Sequence, residues 1–224
     1  MATTTSRLNL TKPGVNDPVD ITVLNNNFDL IDQWFLDCSI GHTGGKSIDT
    51  LDNATAFGLY TSNVGAPTSS YYACLVLPYN ANYIVQIAYH SSTNPTVLCM
   101  RRKQHTDGWQ PWEYVNPPMA AGVEYRTTER HDGKSVYRKR IVYTTTNIGT
   151  AGSVTSINIP HGITSFGELV SATAHMGTYA LPIMDSNGYM TVVNSVNSSN
   201  ISLRTNGVWG NERTWTIDLK YTKA

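Results

Sequence analysis

The sequence predicts a mainly β protein in three consecutive parts: a short N-terminal helix, a small β domain, and a C-terminal antiparallel β-sandwich. Three observations predict it. A helical apolar seam occurs once, between Asp20 and Asp37. After Ser39 the chain changes to short apolar or alternating runs broken by Gly, Asn, Pro and Ser, with no second helix-length periodic segment. Charged residues make up only 14 % of the 224, while Ser, Thr, Asn and Tyr are abundant, which is the composition of a polar, β-rich surface.

Residues 1–40 form the first part. Up to about residue 18 the chain is polar and punctuated by Pro13, Gly14 and Pro18, so it reads as an extended leader. Asp20 then offers an N-cap, and Ile21, Leu24, Phe28, Ile31 and Phe35 follow at spacings of 3, 4, 3 and 4. A helix of about four turns is marginal alone, because nucleation is costly and its stripe needs a partner. With no other helix in the sequence, the seam predicts a bundle of identical helices rather than a cover on the same chain.

Residues 45–116 carry the runs TAFGLYT, YYACLVL, NYIVQIAYH, TVLCMRRK and WQPWEYV, read as strands of a small domain. Pro117-Pro118 marks the boundary. Residues 119–224 continue with SVYRKRIVYT, SVTSINI, ELVSATAHMG, YMTVVNSV, NISLRT and RTWTIDLKYT. Strands at intervals of roughly ten residues argue for a sandwich.

The most charged stretch, Glu129 to Tyr143, contains Asp132-Gly133, a strong type I′ hairpin signal because both central residues need positive φ. Its basic residues predict an edge that resists pairing with other sheets, or ion pairs to neighbouring subunits. Acids interrupt the basic run and the formal net charge is zero, so no nucleic-acid surface is expected. Nor is a metal expected at His131-Asp132, since adjacent strand residues point to opposite faces.

The sequence shows neither a signal-peptide pattern nor an apolar run of membrane-spanning length, so folding in a reducing cytoplasm without membrane insertion is expected. Cys38, Cys74 and Cys99 have no metal-ligand spacing and read as small buried thiols. GxSxG, HExxH and Gly-rich phosphate motifs are all lacking, so no catalytic residue, cofactor or metal is expected. A glycan-cleaving reading would rest on Glu168 and Asp185, the only acids between Ile141 and Leu203. A third reading makes the chain a structural spacer without a ligand.

TSRLNLTKPGVNDPVDITVLNNNFDLID resembles the leader of many bacteriophage and prophage tail-fibre and baseplate proteins, with LNLxKP, a Val-Asp doublet and LNxNFxxID. The middle part looks like a pyocin-knob domain on SIDTL (47–51), GLY (58–60), Gln86, MRR (100–102) and the closing WQPWEYV with Trp109 and Trp112. DGKxVYRK and the Tyr-Thr-Lys ending are similar to the C-terminal head of phage fibre proteins. The resemblance implies a non-enzymatic virion protein assembled in the host cytoplasm, a homotrimer held to other tail or baseplate proteins by its N-terminus. It also implies that the chain attaches to a bacterial surface glycan.

Sugar recognition uses aromatic faces with Asn, Asp, Arg or His for hydroxyls. The candidates are Trp109 and Trp112 in the middle domain, and His161, His175, Tyr179, Asp185, Asn187 and Trp209 in or beside Gly-containing segments of the head.

Overall fold

The computed structural model describes residues 3–18, 20–39, 44–90, 97–145, 153–184, 188, 190–207 and 212–224. The chain is mainly β with one α-helix among the described residues, and it divides into two compact units, 1–112 and 113–224.

In the first unit the leader is more than an extended strand: β1 (Thr3–Thr4) and β2 (Thr11–Lys12) pair antiparallel. Asn27 holds them to the helix, its Oδ1 accepting from the Thr11 N–H at 2.8 Å and its Nδ2 donating to the Thr11 carbonyl at 2.9 Å. Helix α1 spans Ile21–Asp37, and the Asp20 carboxylate caps it by accepting from the Thr22 N–H. None of its side chains is buried. Ile21, Leu24, Phe28 and Phe35 of the seam are exposed and Ile31 half-buried, and Leu30, Trp34 and Leu36 widen the bare apolar surface.

The rest of this unit is one sheet in the order β3 (Lys46–Ser47), β4 (Gly58–Ser62), β5 (Tyr72–Asn80), β6 (Tyr83–His90), β7 (Val97–Gln104) and β8 (Gly108–Trp109). Its inner face buries Tyr60, Tyr72, Cys74, Val76, Ile84 and Ala88 against Leu51 and Ala54 of a 3-10 turn. The outer face is apolar as well. Leu75, Ile87 and Met100 form one cross-strand row, and Ala73, Tyr89 and Leu98 form the next. Strands apolar on both faces belong to sheets that are covered on both sides.

The second unit is a two-layer sandwich. Short β9 (Glu113–Tyr114) runs parallel to β10 (Glu124–His131), which pairs with β11 (Lys134–Thr145). The remaining strands are β12 (Thr155–Pro160), β13 (Phe166–Met176), β14 (Tyr179–Ala180), β15 (Ile183–Met184), β16 (Met190–Val196), β17 (Asn200–Thr205) and β18 (Arg213–Lys223). One layer has the order β14-β13-β18-β11-β10-β9 and the other β12-β17-β16-β15. Strand β18 sends Trp215, Ile217, Leu219 and Tyr221 inward, where they meet Ile159, Ile201 and Leu203 of the other layer in one core.

Asp132 (φ 48°) and Gly133 (φ 76°) make the expected β10–β11 turn. The edge expectation is corrected: the charged part of β11 is interior, with β10 paired along Lys134–Lys139 and β18 along Val136–Thr145. Several charges of the hairpin are paired within the chain. Arg140 forks onto Asp218 with two bonds of 2.8 Å, Lys220 pairs with Glu129 at 2.8 Å, and Arg130 grips Glu113 at 2.7 and 2.8 Å.

Candidate functional site

Strand β7 alternates, so the adjacent arginines 101 and 102 face opposite sides of the sheet. Arg101 points into the domain. Its guanidinium lies 4.4 Å from the ring centres of both Trp109 and Trp112, donates from Nε to Gln86 Oε1 at 2.8 Å, and meets Asp52 at 2.7 Å. Burial lowers the Arg101 pKa from its usual value, and the Asp52 partner opposes that shift. Gln86, itself buried, donates to the carbonyls of Leu51 and Ala54 at 2.7 and 2.9 Å. The two indole N–H groups donate to the carbonyls of Asp52 and Gly65.

Trp109 and Trp112 therefore spend one face each on Arg101 and their polar handles on the backbone. The residues that carry the middle-domain resemblance, Gln86, Arg101 and the two tryptophans, meet in this network. Cys74 and Cys99 lie in the same interior, their thiols pushed up to about 12 chiefly by burial, and all three cysteines are free and buried.

In the head, His161 is buried at the end of β12. Its Nδ1 accepts from the Ile163 N–H at 3.1 Å, so the proton sits on Nε2, which donates to the Asn197 carbonyl at 2.9 Å. The ring also packs on Phe166, which leaves no polar atom for a ligand. His175 and Tyr179 lie beside the β13–β14 turn, His175 half-buried and Tyr179 exposed. Asp185, Asn187 and Trp209 fall outside the described residues.

Register places Thr145 beside Arg213 and Met176 beside Trp215, and Thr155 beside Thr205, which also pairs with Thr191. Only nine residues separate Thr145 from Thr155 and seven separate Thr205 from Arg213 in the sequence, so both layers bring these strand ends to one end of the sandwich. His175 and Tyr179 lie at that end, and His161 lies at the other.

A cleft of about 300 Å³ opens at the shared end on the outer face of the four-stranded layer. Val154, Met190 and Val192 give it an apolar floor, and Asn194, Arg204 and Asn206 supply hydrogen-bonding groups. Arg204 has no ion-pair partner among the described residues. Sequence reasoning missed this arginine because a single base in NISLRT carries no motif, although period-2 alternation sends it outward between buried Leu203 and Thr205.

At the hairpin tip, ligand atoms of His131, Asp132 and Glu168 lie within 4.8 Å of one another. The expectation that His131 and Asp132 diverge is corrected, because Asp132 sits in the turn with positive φ and swings towards the imidazole. All three are exposed or nearly so.

No family model matches the chain, and no curated protein matches it. Among solved structures it is similar to the R1 pyocin fibre of P. aeruginosa (C-terminal residues 323–701), with 11 % identity and a TM-score of 0.26 over 82 % of this chain and 69 % of that one. The R2 pyocin fibre (residues 323–691) gives 12 % identity and a TM-score of 0.27 over 81 % and 69 %. An N-truncated R2-type pyocin tail fibre gives 14 % and 0.25 over 78 % and 94 %. Likeness at this level carries no argument about ligand or assembly.

Proposed function

We propose that the chain is a subunit of a tail-fibre-type attachment protein, a homotrimer that docks to other tail or baseplate proteins through its N-terminal part and engages bacterial surface glycan through its head. The observation that carries the reading is α1. A capped helix with an apolar stripe and no buried side chain is a subunit element waiting for identical neighbours. The bare apolar outer face of the β5–β7 sheet adds a second surface of the same kind.

The head supports the attachment part of the reading. Its cleft combines an apolar floor with a guanidinium that has no ion-pair partner among the described residues and two amides, groups that suit a hydroxyl-rich ligand. In this reading the protein works in the virion tail without cofactor or chemistry of its own, and the leader hairpin is the docking element.

Light scattering on the purified chain is expected to give three times the 24.7 kDa subunit mass, and the double variant Phe28→Asp, Ile31→Asp is expected to give the monomer. Labelled trimer should adhere to intact host cells, and periodate oxidation of the surface sugars should abolish adhesion. A monomeric wild type, or adhesion indifferent to periodate, would overturn the proposal.

A further inference from the structure

The outer face of the middle domain ends in a second cleft that neither the seam nor the head explains. It measures about 260 Å³ and lies at the closed end of the β5–β6 hairpin, lined by Leu77, Tyr79, Tyr83, Arg102, Lys103 and Gln104 among others. Two features set it apart from a random surface dent.

The first is the placement of Tyr79. The β5–β6 register shifts between Pro78 and Asn80, so Tyr79 occupies a bulge, and a bulge re-aims the side chain it carries. The ring stands 88 % exposed. Its platform is fixed: Asn80 Oδ1 accepts from the N–H groups of Asn82 and Tyr83, and the His105 N–H donates to the Asn82 carbonyl at 2.8 Å. Tyr83, also exposed, has the His105 ring 6.4 Å away.

The second is charge. Arg102 brings a cation to the cleft, no acid lines it, and Arg102 has no ion-pair partner among the described residues. By contrast Arg101, Arg126, Arg130, Arg140, Lys220 and Lys223 pair with carboxylates at 2.5–3.0 Å. Exposed aromatic faces on a stiff hairpin suit the C–H surface of a sugar ring, and an uncompensated guanidinium suits an anion on that sugar.

We infer that this cleft is a binding subsite for an acidic saccharide, one bearing a carboxylate or a phosphate group, separate from the head cleft. The inference rests on the attachment reading above and adds to it the position and charge class of a ligand. Tyr79 and Tyr83 stack on the ring, Arg102 meets the anion in a fork, and Gln104 offers an amide to hydroxyls. Arg101 cannot contribute, being committed to the interior of the same strand.

The test is titration calorimetry on the full chain with three probes: a galacturonic acid tetramer, a phosphorylated mannose oligosaccharide, and neutral maltotetraose. At least one acidic probe should bind at least tenfold more tightly than the neutral one, and the two acidic arms distinguish a carboxylate from a phosphate source. Arg102→Gln should weaken that binding at least tenfold, and Tyr79→Ala severalfold. Lys46→Gln, an exposed lysine of β3 that lines neither cleft, should leave it unchanged.

Equal binding of neutral and acidic probes, no binding of either acidic probe, or full affinity in Arg102→Gln would overturn the inference. So would equal binding of a poly-glutamate peptide, which would make the cleft a protein-docking patch. Cell adhesion is measured separately. Acidic-probe binding that survives a failure of adhesion would sink the attachment reading alone, and adhesion without probe binding would sink the subsite alone.

Discussion

The interiors of the two units are organised on different terms. The middle domain is built around polar groups: Gln86, Arg101, Asp52 and two indole N–H groups form a connected network among Leu51, Cys74 and Ile84. The head core is built around volume, with Trp215, Ile217, Leu219 and Tyr221 of one strand filling the space before Ile201 and Leu203, while the Arg140–Asp218 and Lys220–Glu129 pairs sit on the outside of the sheet. A polar network gives directional, one-solution packing but leaves several groups stranded when one is lost. An apolar core loses stability in proportion to the volume removed.

The largest expected effect is in the head. Trp215→Ala removes a fully buried indole and its 2.9 Å bond to Thr145, and should cost about 4 kcal/mol. Urea unfolding should show the loss in a head transition while the middle domain keeps its own. A single shared transition that moves as a whole would break the two-unit comparison.

Arg101→Ala comes next, at about 3 kcal/mol, because it strands Gln86 Oε1 and opens the space between the two indoles. Asp52 is half-exposed and can rehydrate, which keeps the cost below that of a fully buried pair. Arg101→Met should recover part of the loss by refilling the volume, and full recovery would show that packing rather than polarity holds the domain.

Alkaline pH sharpens the comparison. Cys74 and Cys99 have folded values raised from 9.0 to about 12, so the folded state holds their protons after the unfolded state has released them. Stability conferred by the protonated thiols is present below about pH 9 and is lost as pH rises from there towards 12, at up to about 1.4 kcal/mol per pH unit per thiol. Tyr60 and Tyr72 in the middle domain and Tyr221 in the head are also raised, mainly by burial, from 10.0. Thermal melts should therefore show the middle domain weakening from about pH 9 and the head only above about pH 10. Replacing both cysteines by alanine should flatten the lower part of that slope.

The smallest effect is Lys220→Ala. Its pair with Glu129 is solvent-facing, with side chains 33 % and 44 % exposed, so the loss should stay near 0.5 kcal/mol and shrink further in high salt.

The elements were largely legible because their signals are local. The 3-4 spacing marked α1, Asp132-Gly133 marked its hairpin, and each apolar run after Pro117-Pro118 found a strand. What the sequence hid was pairing across distance. Nothing near Arg101 says that Trp109, Trp112, Gln86 and Asp52 will converge on it. The edge expectation failed for the same reason, since Asp218 and Lys220 arrive from the far end of the chain to meet the charges of the hairpin. At the candidate sites, His161 read as a loop residue because IPHGITSFG is turn-like, yet Asn197 from a distant segment joins Ile163 and Phe166 of its own segment in enclosing it.

The neighbouring arginines of β7 also bear on how such a protein changes over generations. One strand carries a framework residue and a surface residue side by side, 101 facing in and 102 facing out, with a pleat between them. Substitution at 102 can alter what the surface meets without disturbing the fold, whereas 101 must stay. Insertion or deletion of one residue within 97–104 would exchange the two roles at once. Diversity is therefore expected to accumulate along this strand by replacement at alternate positions, never by change of length.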